Sequence, residues 1–216
     1  MQERMRQVGS SCIRRRIVQA AVRLHREIGF RKTTVADIAR GASMSPANVY
    51  RFFPSRQAIE ETVVADLLDR VSAAAMLAAR GDSALERLTA ALRMISQLHQ
   101  HRLECDSKQH ELVAEAVREN WAVALSYADQ IRGLVRATIA AGQASGELRP
   151  GCAMAMTCCL LEAMEGYLNP SRINAAAVRP TFDEMMDFCA GALRHRPWGR
   201  PIDLAAEIRP KAVAQG

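Results

Sequence analysis

Within seven residues, Ser45, Asn48, Tyr50 and Arg51 gather a hydroxyl, an amide, a phenol and a guanidinium, with Pro46 and Ala47 between them. An amide and a guanidinium offer the paired donors and acceptors that match base edges, and a phenol and a cation match phosphate oxygens. A second set, His99, His101, Cys105 and His110, carries imidazole and thiolate, the ligands of zinc. Its spacing fits no recurrent zinc pattern: His99 and His101 point to different helix faces, and no i, i+4 pairing is expected to link the set. Metal binding is therefore not expected. Cys158-Cys159 has the composition of a redox pair, but adjacent cysteines in an apolar run read first as packing. The chain has no Gly-rich phosphate loop, no nucleophile elbow and no HExxH, and the carboxylates of HELVAEAVREN (110–120) alternate with basic residues as a solvated face does. An enzyme is not indicated, and no cofactor is expected.

The elements that must position these groups are helical. Ile13, Ile17, Ala20, Leu24 and Ile28 recur at helical spacing, and Gly29-Phe30 reads as a stop with glycine in the left-handed region. Thr34 and Asp37 form the ends of a capping box that opens a helix of about two turns, ending near Gly41-Ala42-Ser43. Ser45 caps the next helix, Pro46 is preorganised for its first position, and Met44 and Val49 stand where a hydrophobic staple forms. Val49 and Phe53 face inward, leaving Ala47, Asn48 and Arg51 on the other side with Tyr50 flanking them. Two short helices joined by a tight turn, the second capped and polar on its outer face, make a helix-turn-helix.

Longer helices follow: about Arg56–Ala79; from a second capping box, Ser83 with Glu86, toward Arg102; about Gln109–Glu119; a long one through Leu125 and Ile139 that fades at Gly142–Gly146; Cys152–Leu168; and Phe182–Arg194. No alternating run indicates a strand, so the fold class is all-α. The six cysteines lack a CxxC pair and read as small buried hydrophobes.

The 216 residues are 49% hydrophobic and 24% charged, enough for a sizeable core. The N-terminus is charged throughout, with neither a signal peptide nor a membrane span expected, which leads to a cytoplasmic expectation. Residues 1–58 hold 12 Arg or Lys against three acids, a balance of +9 in a chain of net charge +6, so the remainder sums to −3. The excess of positive charge in the first quarter suits a polyanion.

TTVADIARGASMSPANVYRFFPSRQAI, residues 33–59, resembles the DNA-binding signature of TetR-family regulators, in a likeness that covers roughly residues 10–60. The resemblance implies an all-helical homodimer in which a three-helix DNA-binding domain precedes a larger helical domain that binds a small ligand and releases a double-stranded DNA operator. By the same resemblance, Pro46, Ala47, Asn48 and Arg51 take base-facing positions and Tyr50 a phosphate-contacting one. Arg56 stands where the family usually has a phosphate-meeting lysine. Thr33 and Thr34 match paired threonines, one a cap and one a backbone contact. The family usually has glycine where this chain has Ser43, so a positive φ is expected there.

The division expected is 1–58 for DNA (ordered from about residue 10), 59–196 for ligand and dimerisation, and a C-terminal tail at 197–216. Met94, Leu98, Trp121, Met156 and Cys159 are candidates for a pocket lining suited to a hydrophobic or aromatic effector, with His99, Tyr127 and Glu162 as polar anchors. The last two long helices are the candidates for a four-helix interface between copies. The alternatives are a helical small-molecule-binding protein or enzyme with a non-specific DNA-binding N-terminal part, and a regulator sensing metal or oxidant.

Overall fold

The computed structural model describes residues 2–173 and 179–194, with side chains from residue 10 onward; the expected tail at 197–216 lies outside the described residues. Among the described residues ten α-helices follow one another: α1 Gln2–Ile28, α2 Val35–Gly41, α3 Pro46–Tyr50, α4 Arg56–Ala78, α5 Ala84–Cys105, α6 Ser107–Arg118, α7 Ala122–Ala144, α8 Ala153–Ala163, α9 Glu165–Leu168 and α10 Phe182–Leu193. A single 3-10 turn, Phe30–Lys32, joins α1 to α2. Among the described residues no strand forms, and the one extended pairing is an isolated bridge between Leu148 and Arg194.

The backbone of α1 is helical from Gln2, earlier than the start near residue 10 expected from the sequence. Glutamine, glutamate, arginine and methionine, all good helix formers, make up most of its first turns. The helix stops at Gly29, whose φ of 86° and ψ of 151° are open to glycine but differ from the left-handed helical cap expected there.

At 23 residues, or about 35 Å, α4 is the spine. It begins beside the reading helices and packs on α1, α5, α6 and α7 through Ile59, Val63, Val64, Leu68, Val71 and Ala75, all buried. One continuous core therefore runs from Ile17 in α1 to Leu193 in α10, and movement of the C-terminal helices has a packed route to the N-terminal ones. Ion pairs add to this route: Arg26 in α1 meets Asp106, and Arg31 meets Glu115 of α6 at 2.5 Å.

One boundary agrees with expectation and one differs. α7 ends at Ala144, within the expected Gly142–Gly146. Gly142 is a point of close approach: a Cβ there would lie 2.6 Å from Ala84 Cβ and 2.7 Å from Leu148 Cγ. The expected Cys152–Leu168 helix is broken at Met164 into α8 and the single turn α9.

Candidate nucleic-acid interface and ligand cavity

Local chemistry fixes α2 and α3. The Thr34 hydroxyl accepts from Asp37 N at 3.2 Å while Thr34 N donates to the Asp37 carboxylate at 3.1 Å, a reciprocal capping box. The Thr34 hydroxyl also donates to that carboxylate at 2.5 Å and, with the backbone bond, holds the Asp37 carboxyl below its usual pKa. The turn closes with Met44 N donating to Ala39 O at 2.9 Å, and Ser43 takes the expected positive φ, 53°. Ser45 Oγ accepts from Asn48 N at 3.3 Å, with Pro46 at the first helical position. Val49 is fully buried, and half-buried Met44 packs on the same core, as a staple requires. The helix then ends at once, Phe52 N and Phe53 N both donating to Val49 O.

α1 braces this unit. Arg23 Nη2 donates to Gly41 O at 3.0 Å at the end of α2. Arg14 donates to Phe52 O at 2.5 Å, just past α3, and lies over the Phe53 ring at 4.8 Å. Part of the N-terminal basic charge is thus structural.

The outer side of α3 carries Pro46, Ala47, Tyr50 and Arg51, all exposed, with Tyr50 at 52%; Asn48 is half-buried at the edge. A rigid two-helix unit with one side anchored and the other offering a phenol, an amide and a guanidinium can enter a groove and meet base edges. Two expected contacts are placed otherwise. Thr33 is fully buried and its hydroxyl donates to Gly29 O at 2.9 Å, so this side chain closes the turn after α1 and faces no partner. Arg56 turns inward: Nε donates to Glu60 Oε1 at 2.6 Å and Nη2 to Phe30 O at 3.1 Å, compensating a buried carboxylate.

In the C-terminal part, the candidate lining residues separate. Tyr127 and Glu162 do share a partly open cavity of about 210 Å³, walled by Ile95 of α5, Val117 of α6, Ala124, Ala128 and Ile131 of α7, and Leu161 of α8, with Arg132, Glu165, Leu168, Asn169 and Pro170 also lining it. His99 stands behind it, with Nε2 3.1 Å from the Tyr127 hydroxyl, and Arg102 Nη1 is 3.0 Å from His99 Nδ1. Burial, with the charge of Arg102 adding to it, lowers the His99 pKa to about 3 and keeps the ring neutral. The others lie elsewhere. Met94 borders an open groove between α5 and α10, Leu98 one between α4 and α5, Trp121 packs at the start of α7, Met156 sits near Gln143, and Cys159 is exposed on α8. Arg102, one turn from His99, was missed because its charge reads as solvent-facing.

The cysteines also correct the sequence reading: Cys12, Cys105, Cys152, Cys158 and Cys159 are exposed, and Cys189 alone is buried. α8 is apolar on more than one face, but among its residues only Met156, Thr157 and Leu160 are buried. His101 and Cys105 are in fact an i, i+4 pair, with Nδ1 and Sγ 3.5 Å apart, contrary to the expectation of no such pairing. Among the described residues no three His, Cys, Asp or Glu side chains converge as metal ligands.

A helix-turn-helix head on a helical ligand domain defines a DNA-binding regulator. Residues 17–62 match the family model for bacterial regulatory proteins of the tetR family, and residues 84–187 match the tetracyclin repressor-like C-terminal domain. The chain belongs to the TetR family of transcriptional regulators. No curated protein matches the chain. Solved structures share its fold at low identity. The fatty acid degradation regulator FadR from Bacillus halodurans is 15% identical over 85% of this chain and 97% of that one, with a TM-score of 0.62. RolR in complex with resorcinol is 19% identical over 86% and 87%, at 0.60. A TetR family regulator from Marinobacter aquaeolei is 20% identical over 91% and 100%, at 0.56. Among the described residues no helix is long and apolar enough to cross a membrane.

Proposed function

We propose that this regulator is a repressor that binds a near-palindromic operator as a homodimer and is released by a small hydrophobic or aromatic effector. The observation that carries the reading is the braced head: a five-residue α3, capped by Ser45 and anchored by Val49, that exposes Ala47, Tyr50 and Arg51 and holds Asn48 at their edge. Residues 1–58 make the head, and 59–196 hold the effector and join the copies. Pairing through α8 and α10 is supported by Met154 and Phe188, 40% and 75% exposed, and by the exposed Ala155, Cys158 and Cys159 on the same stretch of α8. Two such heads spaced about one DNA turn, roughly 34 Å, read two half-sites, and an effector that favours a different spacing weakens binding by linkage.

Selection of bound sites from random DNA, followed by footprinting and sedimentation of the complex, tests this. Enrichment of an inverted repeat bound by two copies is the expected result. Binding with no sequence preference overturns the reading in favour of a small-molecule-binding protein with a non-specific basic head.

A further inference from the structure

Behind the cavity, the hydrogen-bond inventory leaves one proton without an acceptor. Arg102 is donor only, so its 3.0 Å contact makes His99 Nδ1 an acceptor. A neutral imidazole then carries its hydrogen on Nε2, which donates to the Tyr127 oxygen at 3.1 Å. The Tyr127 hydroxyl hydrogen must point elsewhere, and among the described residues it has no acceptor. Arg102 is itself held from α4, Nη2 reaching Leu67 O at 3.4 Å, so the chain of donors has a fixed direction. Tyr127 is 9% exposed and lines the cavity, whose walls are otherwise mainly Ile95, Val117, Ala124, Ile131 and Leu161.

The geometry points to this cavity as the site of a compact, uncharged molecule with a single ring or short chain, whose oxygen accepts the hydrogen bond of Tyr127. The size agrees: an apolar cavity of about 150 Å³ holds benzene, and 210 Å³ leaves room for a short oxygen-bearing substituent. A buried donor without a partner rejects a ligand that lacks the acceptor, so the donor series Arg102–His99–Tyr127 sets specificity while the apolar walls supply most of the affinity. Arg132, Glu162 and Glu165 also line the cavity, but Arg132 is paired with Asp129, Glu165 with Arg172, and Glu162 is exposed, so no buried unpaired charge calls for an ion.

The inference rests on the ligand-responsive reading above, and acetophenone and α-methylstyrene, equal in shape but differing by the oxygen, test it. Calorimetry on the full chain should give roughly tenfold tighter binding of acetophenone, the factor that one ordinary hydrogen bond supplies. Tyr127→Phe should abolish that difference, the two probes then binding with equal affinity. The carbonyl stretch of bound acetophenone, lowered in the parent, should return toward its free value in the variant. Ala128→Leu, which narrows the cavity, should weaken both probes. A preference that survives Tyr127→Phe, or failure of both probes to bind at millimolar concentration, overturns the inference. Release of the selected operator is scored separately. Operator release by other compounds with an indifferent Tyr127 overturns the site alone. Binding that follows Tyr127 in a chain that selects no operator upholds the site and overturns the regulator.

Discussion

Asp106 divides its carboxylate between two helices: Oδ2 meets Arg26 Nε of α1 at 2.5 Å, and Oδ1 accepts from Gln109 N at 3.2 Å to cap α6. The corner between α5 and α6 is thereby fastened to the head, four residues along α5 from Arg102. Val117, further along α6, lines the cavity, so one helix touches both the ligand space and the head through Glu115 and Arg31. An effector that displaces Val117 acts on a helix already tied to α1.

Asp106→Asn keeps an acceptor for Gln109 N and loses only an exposed ion pair, so urea unfolding should show a loss of under about 1 kcal/mol. Asp106→Ala also removes the cap and should cost about 1 kcal/mol more. Equal losses in the two variants would show that the cap contributes nothing.

Arg51 and Arg56 separate by the direction of their side chains. Arg51 is exposed beside Tyr50, and Arg51→Ala should lower the preference for the selected operator over scrambled DNA by about 1–3 kcal/mol with little change in the melting temperature. Arg56→Ala strands the buried Glu60 carboxylate and frees Phe30 O, and should cost about 1–3 kcal/mol of stability. Gel-shift titration alongside thermal melts distinguishes the two; an Arg56→Ala variant that melts like the parent but loses salt dependence would return Arg56 to the phosphate role.

The caps were legible because they are local. Thr34 with Asp37, Ser83 with Glu86, and Ser45 before Pro46 each state a helix start within four residues, and all three form. The positive φ of Ser43 was legible only through the family resemblance, in which glycine usually holds that turn position. The cavity was legible only in its polar groups, Tyr127, Glu162 and His99; its apolar wall was not, since Met94 and Leu98 differ from Ile95 and His99 by a single step around α5, and only the packing of α4, α7 and α10 settles which step faces inward. Arg56 misled for a related reason: charge type is written in the sequence, but the buried partner, Glu60, is a product of the fold. The cysteines of α8 misled because an apolar run does not say which of its residues face the core: Met156 and Leu160 are buried, whereas Cys158 and Cys159 are exposed.

Two glycines of α7 should respond oppositely. Gly142→Ala drives a methyl into Ala84 and Leu148 and should lower stability by about 1–3 kcal/mol. Gly133 has no heavy atom within 4 Å of an added Cβ, so Gly133→Ala should raise stability by up to about 1 kcal/mol through helix propensity alone. Denaturant midpoints of the two variants against the parent decide it, and a neutral Gly142→Ala would mean that α5 and α7 stand further apart.

His25 gives stability a pH dependence with a definite sign. The ring is fully buried, neither nitrogen has a partner among the described residues, and burial, with the nearby charge of Arg56 adding to it, lowers its pKa from 6.5 to about 4. The unfolded chain therefore takes up the proton first. Stability is fully present above about pH 6.5, falls as the pH drops toward 4, and levels off below that for this group. His99 and His110 are lowered in the same direction by burial, so the slope in this window sums several protons. His25→Leu removes one of them and two unsatisfied nitrogens. Urea unfolding at pH 7, 6 and 5 should show a variant about 1 kcal/mol more stable at pH 7, with the acid-side slope reduced by up to about 1.4 kcal/mol per pH unit. An unchanged slope would mean that His25 is already charged, or solvated, in the native protein.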